Sequence, residues 1–94
     1  MKQCLQIMFV LNVPRTFLQN VIQKKARELG IEGTAQATID RESAISMVIC
    51  GQKEVLSDLV DVLHKHYEKK EIDNLQIEPF LKSKDYRGIF RIIE

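Results

Sequence analysis

The chain is poor in several residue types that define specialised protein classes. It has no tryptophan, two prolines, four glycines and two cysteines among its 94 residues. Two cysteines are too few for a disulfide scaffold or a structural zinc site, so both classes are excluded. We find no linker, no internal repeat and no low-complexity stretch either. An ordinary folded domain is therefore expected.

Two further absences limit the partners of this chain. The 14 Lys and Arg residues nearly balance the 13 Asp and Glu residues, so the net charge is +1, which argues against nucleic-acid binding through bulk charge. No apolar run approaches the ~20 residues of a membrane span, and no small-residue cleavage site follows the N-terminal segment. We expect no nucleic acid, no membrane and a cytoplasmic location.

What is present indicates one ordered domain over residues 1–94. Hydrophobic residues make up 45% and charged residues 29% of the sequence, which is usual for a folded protein. A chain of this length has no room for a separate cofactor domain, so no cofactor is expected. No metal site is expected either, because His64 and His66 are two residues apart on a helix and face different directions. Both histidines are predicted to lie at the surface.

The first third of the chain predicts a strand followed by a helix. Apolar residues alternate with period two over residues 3–11, which indicates a strand. Apolar side chains then recur at helical spacing up to Leu29, which indicates a helix of about fifteen residues. Thr16 and Gln19 form a capping-box pattern at its start. Gly30 is expected to end it as a C-cap.

The rest of the chain alternates between strand and helix patterns in the same way. Gly51 is expected to end a strand, and Pro79 indicates that its own strand lies at a sheet edge or ends there. The order predicts an α+β, ferredoxin-like βαββαβ sandwich, with two helices on one face of a four- to five-stranded antiparallel sheet. Crossover handedness places the third strand between the first two. The predicted ranges are 33–39, 44–50, 74–81 and 88–93 for strands, and 52–67 for a helix.

The two cysteines fall at the same end of this predicted sheet. Cys4 begins the first strand and Cys50 ends the third, and alternation places both on the face away from the helices. Two interpretations stay open. They are reduced thiols that pack as small apolar groups, which a cytoplasmic location favours, or they form a redox pair.

Short segments in a fixed order carry a resemblance to a known family. Residues 26–33 read A-R-E-L-G-I-E-G, similar to the A-x-x-L-G-[LI]-x-G of the acylphosphatases. Residues 45–51 (I-S-M-V-I-C-G) and 90–92 (F-R-I) are similar to that family's V-E-V-x-x-x-G strand and F-x-I ending. Residues 3–93 as a whole resemble the acylphosphatases, which hydrolyse carboxyl-phosphate bonds. The resemblance implies the same βαββαβ fold.

The resemblance also implies where an active site would lie. In the family, the loop V-Q-G-V-x-F-R cradles a phosphate with backbone N–H groups and holds it with its arginine, while the asparagine of G-W-V-x-N positions the attacking water. Here residues 13–19 read V-P-R-T-F-L-Q, so the arginine position falls on Gln19. The asparagine position falls on Ala37.

These replacements predict a loss of the family's chemistry. Gln19 cannot make the charge-assisted bidentate contact of an arginine, and Ala37 has no polar atom to hold a water. Pro14 lacks an N–H, and Arg15 stands where the family has glycine. We therefore expect a catalytically degenerate acylphosphatase-like domain that acts as a small-anion-binding or protein-interaction module. Phosphate and acyl phosphate are the expected ligands, and a monomer is expected rather than a dimer.

Two alternative functions are also compatible with the sequence. The first is an active acylphosphatase with a rearranged site, in which Arg15 supplies the missing charge, so enzymatic activity is left open. The second is a ligand-sensing domain that pairs sheet edges in a dimer. Asn12 and Gln36 are weaker candidates for positioning a water. The anion-binding candidates are Arg15, Thr16, Phe17, Leu18 and Gln19.

Overall fold

Five strands form one sheet in the order β4-β1-β3-β2-β5, and two helices cover one of its faces. This arrangement comes from a computed structural model that describes residues 2–38, 41, 43–81 and 87–93. None of the helices in those ranges is long and apolar enough to cross a membrane. The elements are β1 (Lys2–Leu11), α1 (a π-helical part, Leu18–Gln23, continued by an α-helical part, Lys24–Leu29), β2 (Glu32–Ala37), β3 (Ala44–Gln52), α2 (Lys53–Glu68), β4 (Ile72–Pro79) and β5 (Phe90–Ile93).

The strand order confirms the predicted ferredoxin-like topology. β3 lies between β1 and β2 and is antiparallel to both. β5, however, runs parallel to β2, so the expectation of a wholly antiparallel sheet is wrong. The reason is the route of the chain, which leaves β4 at one edge, reverses direction and returns at the opposite edge. There it meets β2, which already runs the same way.

The core lies between the sheet and the two helices. In β1, Ile7, Phe9 and Leu11 are buried against it, whereas the alternate side chains are partly exposed on the other face. This period-two pattern is what the sequence predicted. Each such side chain contributes about 1.5–3 kcal/mol when fully buried. The helices supply Leu18, Ile22 and Ala26 from α1, and Leu56, Leu59 and Leu63 from α2.

Three of the predicted element ends can be compared directly. Gly30 ends α1 in the left-handed conformation, with φ 71° and ψ 27°, as expected. Pro79 is the last residue of the edge strand β4, also as expected. Gly51 does not end β3, because its backbone continues the ladder opposite Gln3. The predicted end of the second strand, residue 39, lies outside the described residues.

Cys4 and Cys50 form a disulfide between neighbouring strands. They lie directly opposite each other in the β1–β3 ladder, with their Cα atoms 4.1 Å apart. The interpretation of two reduced thiols is therefore wrong, and the paired alternative is the one found. An ion pair between Lys2 on β1 and Glu32 on β2, at 2.6 Å, spans the same end of β3. Cys50 is fully buried.

Candidate functional site

A cleft of about 100 Å³ lies beside the start of α1. Arg15, Thr16, Leu18 and Gln19 line one side of it, and Ile92 of β5 closes the other side. The volume corresponds to about three water molecules, which is enough for a small ion. Four of the five anion-binding candidates therefore surround one cleft, although their binding role stays a prediction. Ile92 was not among those candidates.

The helix start at this cleft differs from the predicted capping box. Thr16 already has helical backbone, and no side-chain hydrogen bond caps the start of the π-helical part. The chain instead enters the helix through turns closed by backbone hydrogen bonds. The N–H of Phe17 donates to the Pro14 carbonyl, and the N–H of Leu18 donates to the Arg15 carbonyl. The predicted capping roles of Thr16 and Gln19 are therefore wrong. Both side chains are left to face the cleft.

The first half of α1 is wider than an ordinary α-helix. The N–H of Lys24 donates to the carbonyl of Gln19, five residues earlier, and this spacing defines a π-helical turn. The sequence predicted a regular helix here, because the apolar spacing of Leu18 and Ile22 fits either form. Such π-helical turns frequently occur at functional sites. Here the turn begins at the two α1 residues that line the cleft.

Phe17 anchors the loop instead of lining the cleft. Its ring is buried and packs edge-on against His66 of α2, with ring centroids 4.9 Å apart. The Nδ1 atom of His66 lies 3.2 Å from a carboxylate oxygen of Glu71. His66 is therefore half-buried and contacts both Phe17 and Glu71, so the predicted surface role is wrong for it. His64, in contrast, is exposed as expected.

Asn12 holds the other end of the same loop, residues 12–17, in place through hydrogen bonds. Its side-chain amide donates to the Lys70 carbonyl at 3.0 Å and to the Asp73 carboxylate at 2.7 Å. Its backbone N–H donates to the Glu71 carbonyl. Both hydrogens of the side-chain amide are therefore engaged, and the water-positioning role considered from the sequence stays a prediction. We call Asn12, Phe17, His66 and Glu71 the loop anchor, because they hold residues 12–17 against the end of α2.

The polar groups of the cleft suit an anion more than a cation. Among the described residues, no carboxylate pairs with Arg15, and no acceptor engages the N–H groups of Arg15 and Thr16. The guanidinium, the Thr16 hydroxyl and the Gln19 amide form the polar rim. The side chains of Leu18 and Ile92 provide an apolar floor. None of the described residues that line the cleft carries a carboxylate or an imidazole to act as a general base.

Two other residues from the sequence analysis lie outside this cleft. Ala37 is the last residue of β2, opposite Ile45, and is half-buried. Gln36 is exposed on the opposite face of the sheet, opposite Ser46. The structure thus brings Arg15 and Gln19 together and leaves these two apart from them.

Comparisons with known proteins identify the fold of this chain. No protein-family profile matches the chain, and no curated protein is significantly similar to it in sequence. Among solved structures, an acylphosphatase from Coxiella burnetii has 20% sequence identity and a TM-score of 0.73, over 98% of this chain and 93% of its own. The acylphosphatase from Bacillus subtilis has 13% identity and a TM-score of 0.76, over 100% of both chains.

A protein with other ligands shares the fold as well. Klebsiella pneumoniae BlrP1, solved with FMN and cyclic diGMP, has 16% identity and a TM-score of 0.70, and the match covers 100% of this chain but 26% of that one. At these identities the likeness establishes the fold alone. The chain has the acylphosphatase-like, ferredoxin-like α+β fold, as the resemblance in its sequence implied. One fold with such different ligands cannot assign a function by itself.

Proposed function

We propose that this acylphosphatase-like domain binds a small anion in the cleft at the start of α1 without hydrolysing it. The observation that carries the proposal is that Arg15, which pairs with no carboxylate of the described residues, lies beside Thr16 and Gln19 in one cleft. A guanidinium offers two parallel donors, which match the oxygens of a phosphate, sulfate or carboxylate. The free N–H groups at the helix start add positive potential on the same side.

The same cleft supports binding better than turnover. Hydrolysis of an acyl phosphate needs a positioned water and donors placed where charge develops in the transition state. Gln19 is neutral, and the N–H groups of Phe17 and Leu18 already donate to backbone carbonyls. Ala37 offers no hydrogen bond to a water. The apolar floor of Leu18 and Ile92 favours an anion that carries a small apolar group.

The first prediction tests binding. Isothermal titration with phosphate, sulfate and benzyl phosphate should show saturable heat, and Arg15→Ala should weaken the affinity by at least about tenfold. Arg27→Ala is the matched control, since it removes an exposed arginine from the far end of α1. It should leave the affinity unchanged. Equal losses in both variants, or no heat with the native chain, would contradict the proposal.

The second prediction tests turnover. Benzoyl phosphate should be hydrolysed at the buffer rate by the native chain and by Arg15→Ala alike, because neither has the residues that hold an attacking water. The measurement is the loss of absorbance of the acyl phosphate against a protein-free blank. Turnover above the blank that disappears in Arg15→Ala and persists in Arg27→Ala would favour the rearranged-site enzyme instead.

We also propose a cytoplasmic location, as expected from the sequence. In the cytoplasm thiols are held reduced. The Cys4–Cys50 disulfide is typical of oxidising compartments. A cytoplasmic location therefore requires that this bond be open in the cell. A thiol-trapping experiment on freshly lysed cells, with denaturation in an alkylating reagent, separates the two cases.

A further inference from the structure

Among the described residues, no helix or strand covers the face of the sheet opposite the helices, and beyond the Cys4–Cys50 row its three central strands present no charged side chain. On β1, beyond the disulfide, it presents Gln6, Met8 and Val10, each partly exposed. On β3 it presents Ala44, Ser46 and Val48, which are small side chains that allow another surface to approach closely. Depletion of charge is the compositional mark of an interface centre. We call this surface, with the outward residues of β2, β4 and β5, the open face.

One row of outward-facing residues runs across all five strands of the open face, and it has charges of opposite sign at its two ends. Gln6 is opposite Glu78 on one side and opposite Val48 on the other. Val48 is opposite Thr34, and Thr34 is opposite Arg91. The row therefore runs Glu78, Gln6, Val48, Thr34, Arg91 across all five strands.

We propose that the occupant of the open face is a second copy of this chain. β3 is the middle strand of the five, so a two-fold axis parallel to it carries each strand of one copy over the strand at the mirrored position of the other. β4 then lies over β5 of the partner. Glu78 of each copy meets Arg91 of the other, and the two Val48 side chains meet on the axis.

The second row makes the same arrangement self-complementary. It runs Gln76, Met8, Ser46, Gln36 and Ile93 across the sheet. Ile93 is 46% exposed in the single chain, and the arrangement covers it with Gln76 of the partner. Stacked sheets keep their strand directions within about 30° of each other, an offset that the long side chains of Glu78 and Arg91 span. The other two-fold in this plane would place β4 on β4 and bring like charges together.

The size of the open face sets the strength of the association. Five strands at about 4.8 Å each cover a width of roughly 24 Å, and three rows at about 6.8 Å each, the third through Val10 and Ala44, cover a length of roughly 20 Å. The contact is then roughly 480 Å² per copy, a total typical of weak, transient interfaces. The dimer is therefore weak and concentration-dependent. This differs from the monomer expected from the sequence, and it leaves the cleft open, because the cleft is on the helix side.

The third prediction is measured by sedimentation velocity from about 5 to about 500 µM, a range that spans weak association. The native chain should shift from monomer to dimer. Val48→Glu, which places two carboxylates on the axis, should remain monomeric throughout. Glu78→Arg and Arg91→Glu should each weaken association at least about tenfold, and the double variant Glu78→Arg/Arg91→Glu should restore it. Glu54→Arg on α2 is the control and should not change it.

Several results would overturn the proposal. A native chain that stays monomeric at every concentration excludes the dimer. A dimer that none of the open-face variants weakens lies on another surface. Failure of the double charge reversal to restore association, with circular dichroism unchanged, excludes the β4-over-β5 arrangement. Anion binding by the titration above is independent of each of these outcomes.

Discussion

Replacing Gly33 with alanine is expected to destabilise the protein by about 3 kcal/mol or more. Gly33 has a φ of 148°, which side chains rarely adopt. A β-carbon built there would lie 1.9 Å from the carbonyl oxygen of Val48. That oxygen belongs to the backbone of a central strand, so it cannot move aside as a flexible side chain could. Relief of the clash requires β2 and β3 to separate locally.

The position of Gly33 makes this separation costly beyond the clash. Its N–H donates to the Ile89 carbonyl at 3.0 Å, and its Cα is opposite Phe90 of β5. Movement of β2 away from β3 therefore disturbs the pairing of β5 too. Phe90 is fully buried, and Ile92 closes the cleft. Loss of stability should be accompanied by weaker anion binding.

Gly30→Ala is the matched control for this prediction. Gly30 also has a positive φ, 71°, but nothing lies within 4 Å of a β-carbon placed there. It should cost only about 1 kcal/mol, the price of the left-handed conformation. Urea unfolding curves measure both variants, and thermal midpoints should fall by roughly 4–8 °C for each kcal/mol. Equal losses at the two glycines would contradict the steric explanation.

The parts of the fold that the sequence predicted are those that local periodicity determines. The alternation of Ile7, Phe9 and Leu11 lies within one short segment of the sequence, and this alternation alone predicts the strand. The left-handed cap at Gly30 depends on one residue type at one position. The direction of β5 and the continuation of β3 through Gly51 depend instead on which strand the segment meets in space. Pairing of that kind has no local signal.

The candidate site also has a part that could be predicted from the sequence and a part that could not. Arg15 and Gln19 are four residues apart at the start of one helix, so their proximity could be predicted from the chain. The wall formed by Ile92 comes from the far end of the sequence and could not. The contacts that hold residues 12–17 in place join Asn12 to Lys70 and Asp73 and join Phe17 to His66, across about fifty residues or more. An asparagine directly after a strand was the one signal available, and it fits a turn equally well.

Reduction of the Cys4–Cys50 disulfide is expected to lower the free energy of unfolding by about 4 kcal/mol. The bond closes a loop with a sequence separation of 46 residues, which contains α1, β2 and most of β3. In the chain-entropy description, the stabilisation arises because the cross-link restricts the unfolded chain and grows with the logarithm of this length. The fall should correspond to roughly 15–30 °C in the thermal midpoint.

The measurement compares unfolding with and without a reducing agent. The native chain should lose stability on reduction, whereas Cys4→Ala/Cys50→Ala should unfold at the same urea concentration in both conditions. Two titratable thiols in the denatured, unreduced native chain would contradict the bond, and so would a thermal midpoint that reductant does not change. The folded, unreduced protein should show no reactive thiol.

Reduction should leave the cleft intact while the protein remains folded. The cysteines lie on the open side of the sheet, whereas Arg15, Leu18 and Ile92 meet on the helix side. The Lys2–Glu32 ion pair still ties β1 to β2 at the same end of the sheet. The reduced chain should therefore bind phosphate with unchanged affinity at temperatures well below its lowered midpoint. At such temperatures the reduced protein is still folded, so unfolding cannot explain a loss of binding. If phosphate binding were nevertheless lost when the disulfide is reduced, the bond would be shown to shape the cleft.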